Sequence, residues 1–111
     1  MKKIFALLAV ALSFNAFAGN IEAGKAAAQK YNCASCHGAD YQSPVDPSYP
    51  KLAGQHADYL EHALTAYQRG AGANGRGNAI MGGMAKPLSK TEIKDIAAYL
   101  SSLPGSLVLR K

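Results

Sequence analysis

Cys33-Ala34-Ser35-Cys36-His37 constrains what this chain can become more than any other stretch of it. A C-x-x-C pair alone serves three chemistries: a redox dithiol, half of a zinc site, or covalent haem attachment. A His directly after the second Cys favours the last. Two thiols three residues apart on a tight helical turn can each add to one vinyl group of the same porphyrin. The next residue then lies under the macrocycle, where its imidazole can bind iron. The competing readings fail on inventory. A structural zinc site takes four ligands, usually with a second close Cys/His pair. Here only His56 and His62 remain, and their i, i+6 separation puts them on different faces of a helix. A thioredoxin-like dithiol wants a βαβ setting that the pattern lacks. A Cys33–Cys36 disulfide would close a loop too small to stabilise much.

The rest of the chain reads as helices joined by long irregular segments, with no convincing strand. Ile21 to Tyr31 is Ala-rich, with Ala23, Ala27 and Tyr31 at i, i+4, i+8 and Asn32 as its stop. His56 to Arg69 carries the stripe Tyr59, Leu60, Ala63, Leu64, Tyr67 and stops at Gly70. Ser89-Lys90-Thr91-Glu92 is a capping box that opens a third helix, with Ile93, Ile96, Ala97 and Leu100 on its buried face and Pro104-Gly105 as its close. Between them, 38–54 contains Pro44, Pro47 and Pro50, which forbid a continuous helix. The segment 70–83 holds six glycines in fourteen residues and reads as loop. Loops this long in a small domain wrap or bind something. The tail 106–111 is short, and its Leu107-Val108-Leu109 can pack or fray.

Met1 to Ala18 has two lysines, an apolar run from Ile4 to Leu12, a polar break and Ala16-Phe17-Ala18. That order is expected of a cleaved secretory signal and is too short for a comfortable membrane span. Cleavage there leaves one domain, 19–111, and lowers the formal charge from +5 to +3 by removing Lys2 and Lys3. An exported chain is then periplasmic, without stable membrane insertion. The charge is too weak to argue for nucleic acid, and no basic cluster with interleaved aromatics supports it. A domain this size folds with a thin margin, so a covalent or metal staple would help.

A His-ligated haem iron in an electron carrier commonly takes a Met thioether on its other side, which raises the potential. Besides the initiator, the chain has only Met81 and Met84, both in Ile80-Met81-Gly82-Gly83-Met84. One as ligand and one as packing is the natural split. His56 and His62 are weaker candidates for that position. Gly70-Ala71-Gly72-Ala73-Asn74-Gly75 spells G-x-G-x-x-G, but it follows a helix and enters more loop, so it reads as a wrap around the haem edge, not a dinucleotide site. Tyr59 and Tyr67 read as core and haem packing, and Lys51, Lys86 and Lys90 as a possible docking patch.

In Gly24-Lys25, C-A-S-C-H-G at 33–38, Tyr49-Pro50-Lys51-Leu52-Ala53-Gly54-Gln55, Ile80 to Ala85, Leu88-Ser89 and Asp95 to Leu100, the chain resembles a class I cytochrome c. The likeness is to bacterial monohaem cytochromes of the c553 and c5 kind and to single domains of cytochrome c4. The resemblance implies an all-α class I cytochrome c fold, three main helices and long loops around one covalently bound haem c and its iron. It implies Cys33 and Cys36 as thioether attachments, and His37 and Met81 as axial ligands with Met84 packing nearby. It further implies Pro50 as the carbonyl partner of His37, Leu52 as haem packing, and a close Gly24–Tyr99 contact between the first and last helices. The expected work is one-electron transfer with redox protein partners, some with acidic docking faces, and not catalysis. Two other readings share the motif: an electron-accepting subunit of a larger dehydrogenase, and a haem enzyme or sensor with a labile sixth ligand.

Overall fold

The computed structural model describes residues 19–106; the expected signal segment 1–18 and the apolar tail 107–109 lie outside them. Among the described residues there are five helices and no strand: α1 Ile21–Lys30, α2 Ala34–His37, α3 Ala57–Arg69, α4 Ala79–Ala85 and α5 Lys90–Ser102. The first and last helices form the most extensive pair, while α3 packs on both α5 and α4.

Gly24 sets how close α1 and α5 come. A Cβ at that position would sit 1.9 Å from the Asp95 carbonyl oxygen and 2.8 Å from Tyr99 Cβ, so only glycine lets the two backbones meet. Gly24→Ala is therefore expected to push the pair apart and cost about 3 kcal/mol, the upper end of ordinary overpacking; denaturant unfolding of the holoprotein checks this. The buried face of α1 is Gly24, Ala27 and Ala28, with Tyr31 half-buried. Ala23, placed on that face by the i, i+4, i+8 pattern, is exposed. In an Ala-rich helix hydrophobicity hardly distinguishes one face from another, and the glycine contact decides the rotation.

The expected capping box at α5 is formed: Ser89 Oγ accepts from the Glu92 N–H at 3.0 Å and Glu92 Oε1 accepts from the Ser89 N–H at 3.1 Å. Tyr31 Oη also donates to Glu92 Oε1 at 3.1 Å, tying α1 to the same cap. Ile93, Ile96, Ala97 and Leu100 are buried as their spacing required. Removing a cap of this kind by Ser89→Ala costs about 1 kcal/mol. The Ser89 N–H holds the Glu92 carboxyl below its ordinary range, helped by Tyr31 and Lys30. Its contribution is thus complete above the unfolded-state pKa and lost as pH falls through the lower folded value. The melting difference between wild type and Glu92→Gln is expected to shrink on acidification through that window.

The glycine-rich segment differs from its reading as loop. Residues 79–85, Met81 and Met84 included, form α4. Asn78 is the cap, its Oδ1 accepting from the Ile80 and Met81 N–H groups at 3.0 and 2.9 Å. At the other end Gln68 Nε2 of α3 donates to the Ala85 and Leu88 carbonyls at 2.9 and 2.7 Å. Two caps and the α3 contact outweigh the low helix propensity of Gly82 and Gly83.

Candidate functional site

The site is a cleft between α2, the 48–55 segment, α3, α4 and α5. Its apolar walls are Leu52, Leu60, Ala63, Leu64, Ile96 and Leu100, and Cys33, Cys36, His37, Met81 and Met84 all line it. The pentapeptide reaches it through a local break. Asn32, at φ 56, takes the left-handed conformation that asparagine tolerates, ending α1 and starting the turn of α2. Gly38, at φ 90, then reverses the chain so tightly that a Cβ would meet the Ser43 carbonyl.

His37 is 4% exposed, and its Nδ1 donates to the Pro50 carbonyl at 2.9 Å. A carbonyl oxygen can only accept, so Nδ1 carries the proton, the bond fixes both ring orientation and tautomer, and Nε2 is left with the free lone pair. Tyr49 stands beside the imidazole, ring centroids 6.4 Å apart. Both cysteines are free thiols, and burial pushes that of Cys33 above its ordinary value. Met81 is half-buried, whereas Met84 is 39% exposed.

Other residues singled out in the sequence fall elsewhere. Neither His56 nor His62 lines the cleft; His56 stands at the N-cap position of α3 without a side-chain capping bond, and His62 Nδ1 bonds the Asp58 carbonyl at 2.7 Å. No group of three His, Cys, Asp or Glu that could hold a metal ion occurs among the described residues, so the four-ligand set a structural zinc takes is not assembled there. The G-x-G-x-x-G stretch does not wrap the cleft: none of residues 70–75 lines it, and the segment turns back on α3, where the Arg76 N–H donates to the Ala66 carbonyl at 2.9 Å. Lys51 stands on the cleft rim; Lys86 and Lys90 end α4 and begin α5 without reaching it.

Arg76 was not foreseen. Its guanidinium lies 5.5 Å from the ring centroids of both Tyr59 and Tyr67, and Nη2 donates to Tyr59 Oη at 3.2 Å. These bonds raise its pKa further. Arg76 and Lys51 are the Lys and Arg residues of the cleft lining, which contains no carboxylate. Tyr59 and Tyr67 share one helical stripe, but no spacing rule relates either of them to Arg76, so no sequence signal announced the cluster.

The donor set fits the cofactor: two free thiols, one oriented imidazole and two thioethers around an apolar slot. Fold and site together define a helical domain built to hold a covalently attached haem. The family model "Cytochrome c" matches residues 21–104, and the chain belongs to the cytochrome c family. The cofactor is haem c with its iron, and the class is electron transfer, not enzymatic catalysis. The chain is 49% identical over 70 residues to cytochrome c-554(548) of Halomonas halodenitrificans, covering 63% of this chain and 82% of that one. It is 41% identical over 75 residues to a thiosulfate dehydrogenase electron acceptor of Thiomonas intermedia, covering 68% of this chain and 33% of the relative. The crystal structure of reduced cytochrome c4 from Pseudomonas stutzeri superposes with a TM-score of 0.72 at 40% identity, over 81% of this chain and 48% of that one. The chain thus spans about half the length of that cytochrome c4.

Proposed function

We propose that this is a periplasmic monohaem cytochrome c that carries single electrons between respiratory or dehydrogenase partners, exported by cleavage after Ala18. The observation that carries the reading is the His37 Nδ1–Pro50 carbonyl bond in a cleft that also presents both methionines. In this reading Cys33 and Cys36 form the two thioether links, and His37 Nε2 is the proximal iron ligand, held at a fixed angle by Pro50. Met81 is the distal ligand: it is the less exposed of the two methionines, and the Asn78 cap bonds its own N–H. Leu52, Leu60, Leu64, Ile96 and Leu100 exclude water from the slot. When bound, the haem supplies one iron-centred, one-electron couple. The chain's part is to change little as the charge changes, and residues fixed by caps and by a backbone carbonyl suit that work.

The partners are redox proteins, and the mild positive charge of 19–111 suits acidic docking faces. A subunit role beside a dehydrogenase is the second reading, favoured by the likeness to the Thiomonas electron acceptor. Co-purification with a dehydrogenase separates the two. Carbon monoxide added to the reduced holoprotein tests the closed His/Met site that both require. An unchanged absorption spectrum is expected, whereas a rapid shift would move the assignment to a gas- or peroxide-binding haem.

A further inference from the structure

Of the described residues other than glycine, two hold a positive φ. Asn32, at 56°, is of a type that tolerates it. Tyr41, at 58°, is not, because a Cβ in the left-handed region crowds the following carbonyl. A residue stays in such a conformation only where its surroundings hold it there. Tyr41 is 3% exposed, and its ring meets that of Tyr99 on α5 edge-on, centroids 6.0 Å apart. Its N–H donates to the Gly38 carbonyl at 3.0 Å. On either side, Asp40 Oδ1 accepts from the Gln42 and Ser43 N–H groups at 2.9 and 3.0 Å, and Gln42 Nε2 donates to the Pro104 carbonyl.

Turned this way, the Tyr41 carbonyl accepts from two successive N–H groups, Leu52 at 2.8 Å and Ala53 at 3.1 Å. Pro50 has no N–H with which to anchor itself, and these are the first backbone bonds after it. Segments 37–41 and 50–53 are thereby joined twice, once through the Tyr41 carbonyl and once through the bond from His37 Nδ1 to the Pro50 carbonyl at 2.9 Å. We propose that Tyr41 is a positioning residue for the iron ligand, its buried ring holding the left-handed turn whose carbonyl sets the Pro50 oxygen on His37 Nδ1. In a right-handed turn the Tyr41 carbonyl would point away from Leu52 and Ala53, and the Pro50 oxygen would be free to drift from the imidazole. Tyr41 does not line the cleft, so it acts only through the proline bond. That bond increases the basicity of Nε2, which favours the ferric state and lowers the potential. The inference rests on the reading of His37 as the proximal ligand.

The test compares isotope-labelled, reduced holoproteins by NMR of His37 Nδ1–H exchange with heavy water, together with redox titration. Tyr41→Ala and Tyr41→Gly both delete the ring, but only glycine takes φ 58 freely. Tyr41→Ala is expected to exchange Nδ1–H about tenfold faster than wild type, the factor set by the left-handed cost of a residue with a Cβ, and to titrate at a higher potential. Tyr41→Gly is expected to return both readings most of the way to wild type, although it leaves at least as large a cavity. Tyr41→Phe keeps the edge-on ring contact and should match wild type within about twofold. Tyr41→Leu keeps the apolar bulk and the Cβ, and replaces Tyr41→Ala if that chain yields no holoprotein. Equal readings in Tyr41→Ala and Tyr41→Gly would reduce Tyr41 to core packing and overturn the proposal. Wild-type exchange and potential in Tyr41→Ala, with only a lower melting temperature, would do the same. Behaviour of Tyr41→Phe like that of Tyr41→Ala would also overturn it, by assigning the effect to the hydroxyl. The carrier reading is decided separately by carbon monoxide addition to the wild type, which carries no substitution.

Discussion

Met81→Ala, once reduced, is expected to bind carbon monoxide rapidly with a shifted absorption spectrum, while wild type and Met84→Ala do not. The asymmetry follows from how α4 is held. Asn78 accepts the Met81 N–H, and Gln68 of α3 holds the far end of the helix, so the first turn presents Met81 from a backbone tied at both ends. Met84 is a turn later, 39% exposed, with Gly83 before it. Loss of the thioether also removes the ligand that raises the potential. Axial ligands tune haem potentials over about 0.8 V, so a fall on the order of 100 mV or more is expected in Met81→Ala by redox titration. If instead Met84→Ala binds the gas and Met81→Ala does not, the two roles exchange. If neither does, the sixth ligand is a different side chain.

The second large effect concerns the fold itself. The Cys33→Ala/Cys36→Ala chain, made without covalent haem, is expected to lose the cooperative thermal transition and much of its helical circular dichroism. Leu52, Leu60, Leu64, Ile96 and Leu100 all contribute to the cleft walls, so much of the large apolar surface of α3 and α5 faces the haem site. Of the eleven described residues that form the buried core, five are alanines, and three of the six larger ones, Leu60, Ile96 and Leu100, also line the cleft. A domain of this size is stable by only about 5–15 kcal/mol, and a group that binds only the folded state contributes directly to that margin. A loss of about 5 kcal/mol or more is therefore expected. A sharp transition and dispersed amide spectra in the haem-free double variant would show that the helices suffice by themselves.

How much of this could be read in advance depended on the range of each interaction. Cys33 to His37 is a local chemical pattern, and its meaning survives without coordinates. Ser89 and Glu92 cap each other across three residues, so that helix start was visible. Gly24 opposite Tyr99 came from resemblance and acquires its reason only from the 1.9 Å approach to the Asp95 carbonyl. The helix around Met81 was missed although Asn78 directly precedes Ala79-Ile80-Met81, a usable cap signal. Glycine content argued against it, and the decisive Gln68 bonds span 17 and 20 residues. The buried face of α1 was misjudged for a related reason, since alanine on every side leaves no hydrophobic contrast to read.

The sequence by itself determined the cofactor chemistry, the helical class and the residues able to ligate iron, because each rests on residue type at short spacing. Only the tertiary structure decided that Met81 is carried on a capped helix, that the glycine stretch folds away from the cleft, and that Arg76 lies against the rings of Tyr59 and Tyr67. Those depend on where α3 sits against α4 and α5, and a bond across many residues exists only after the chain has folded.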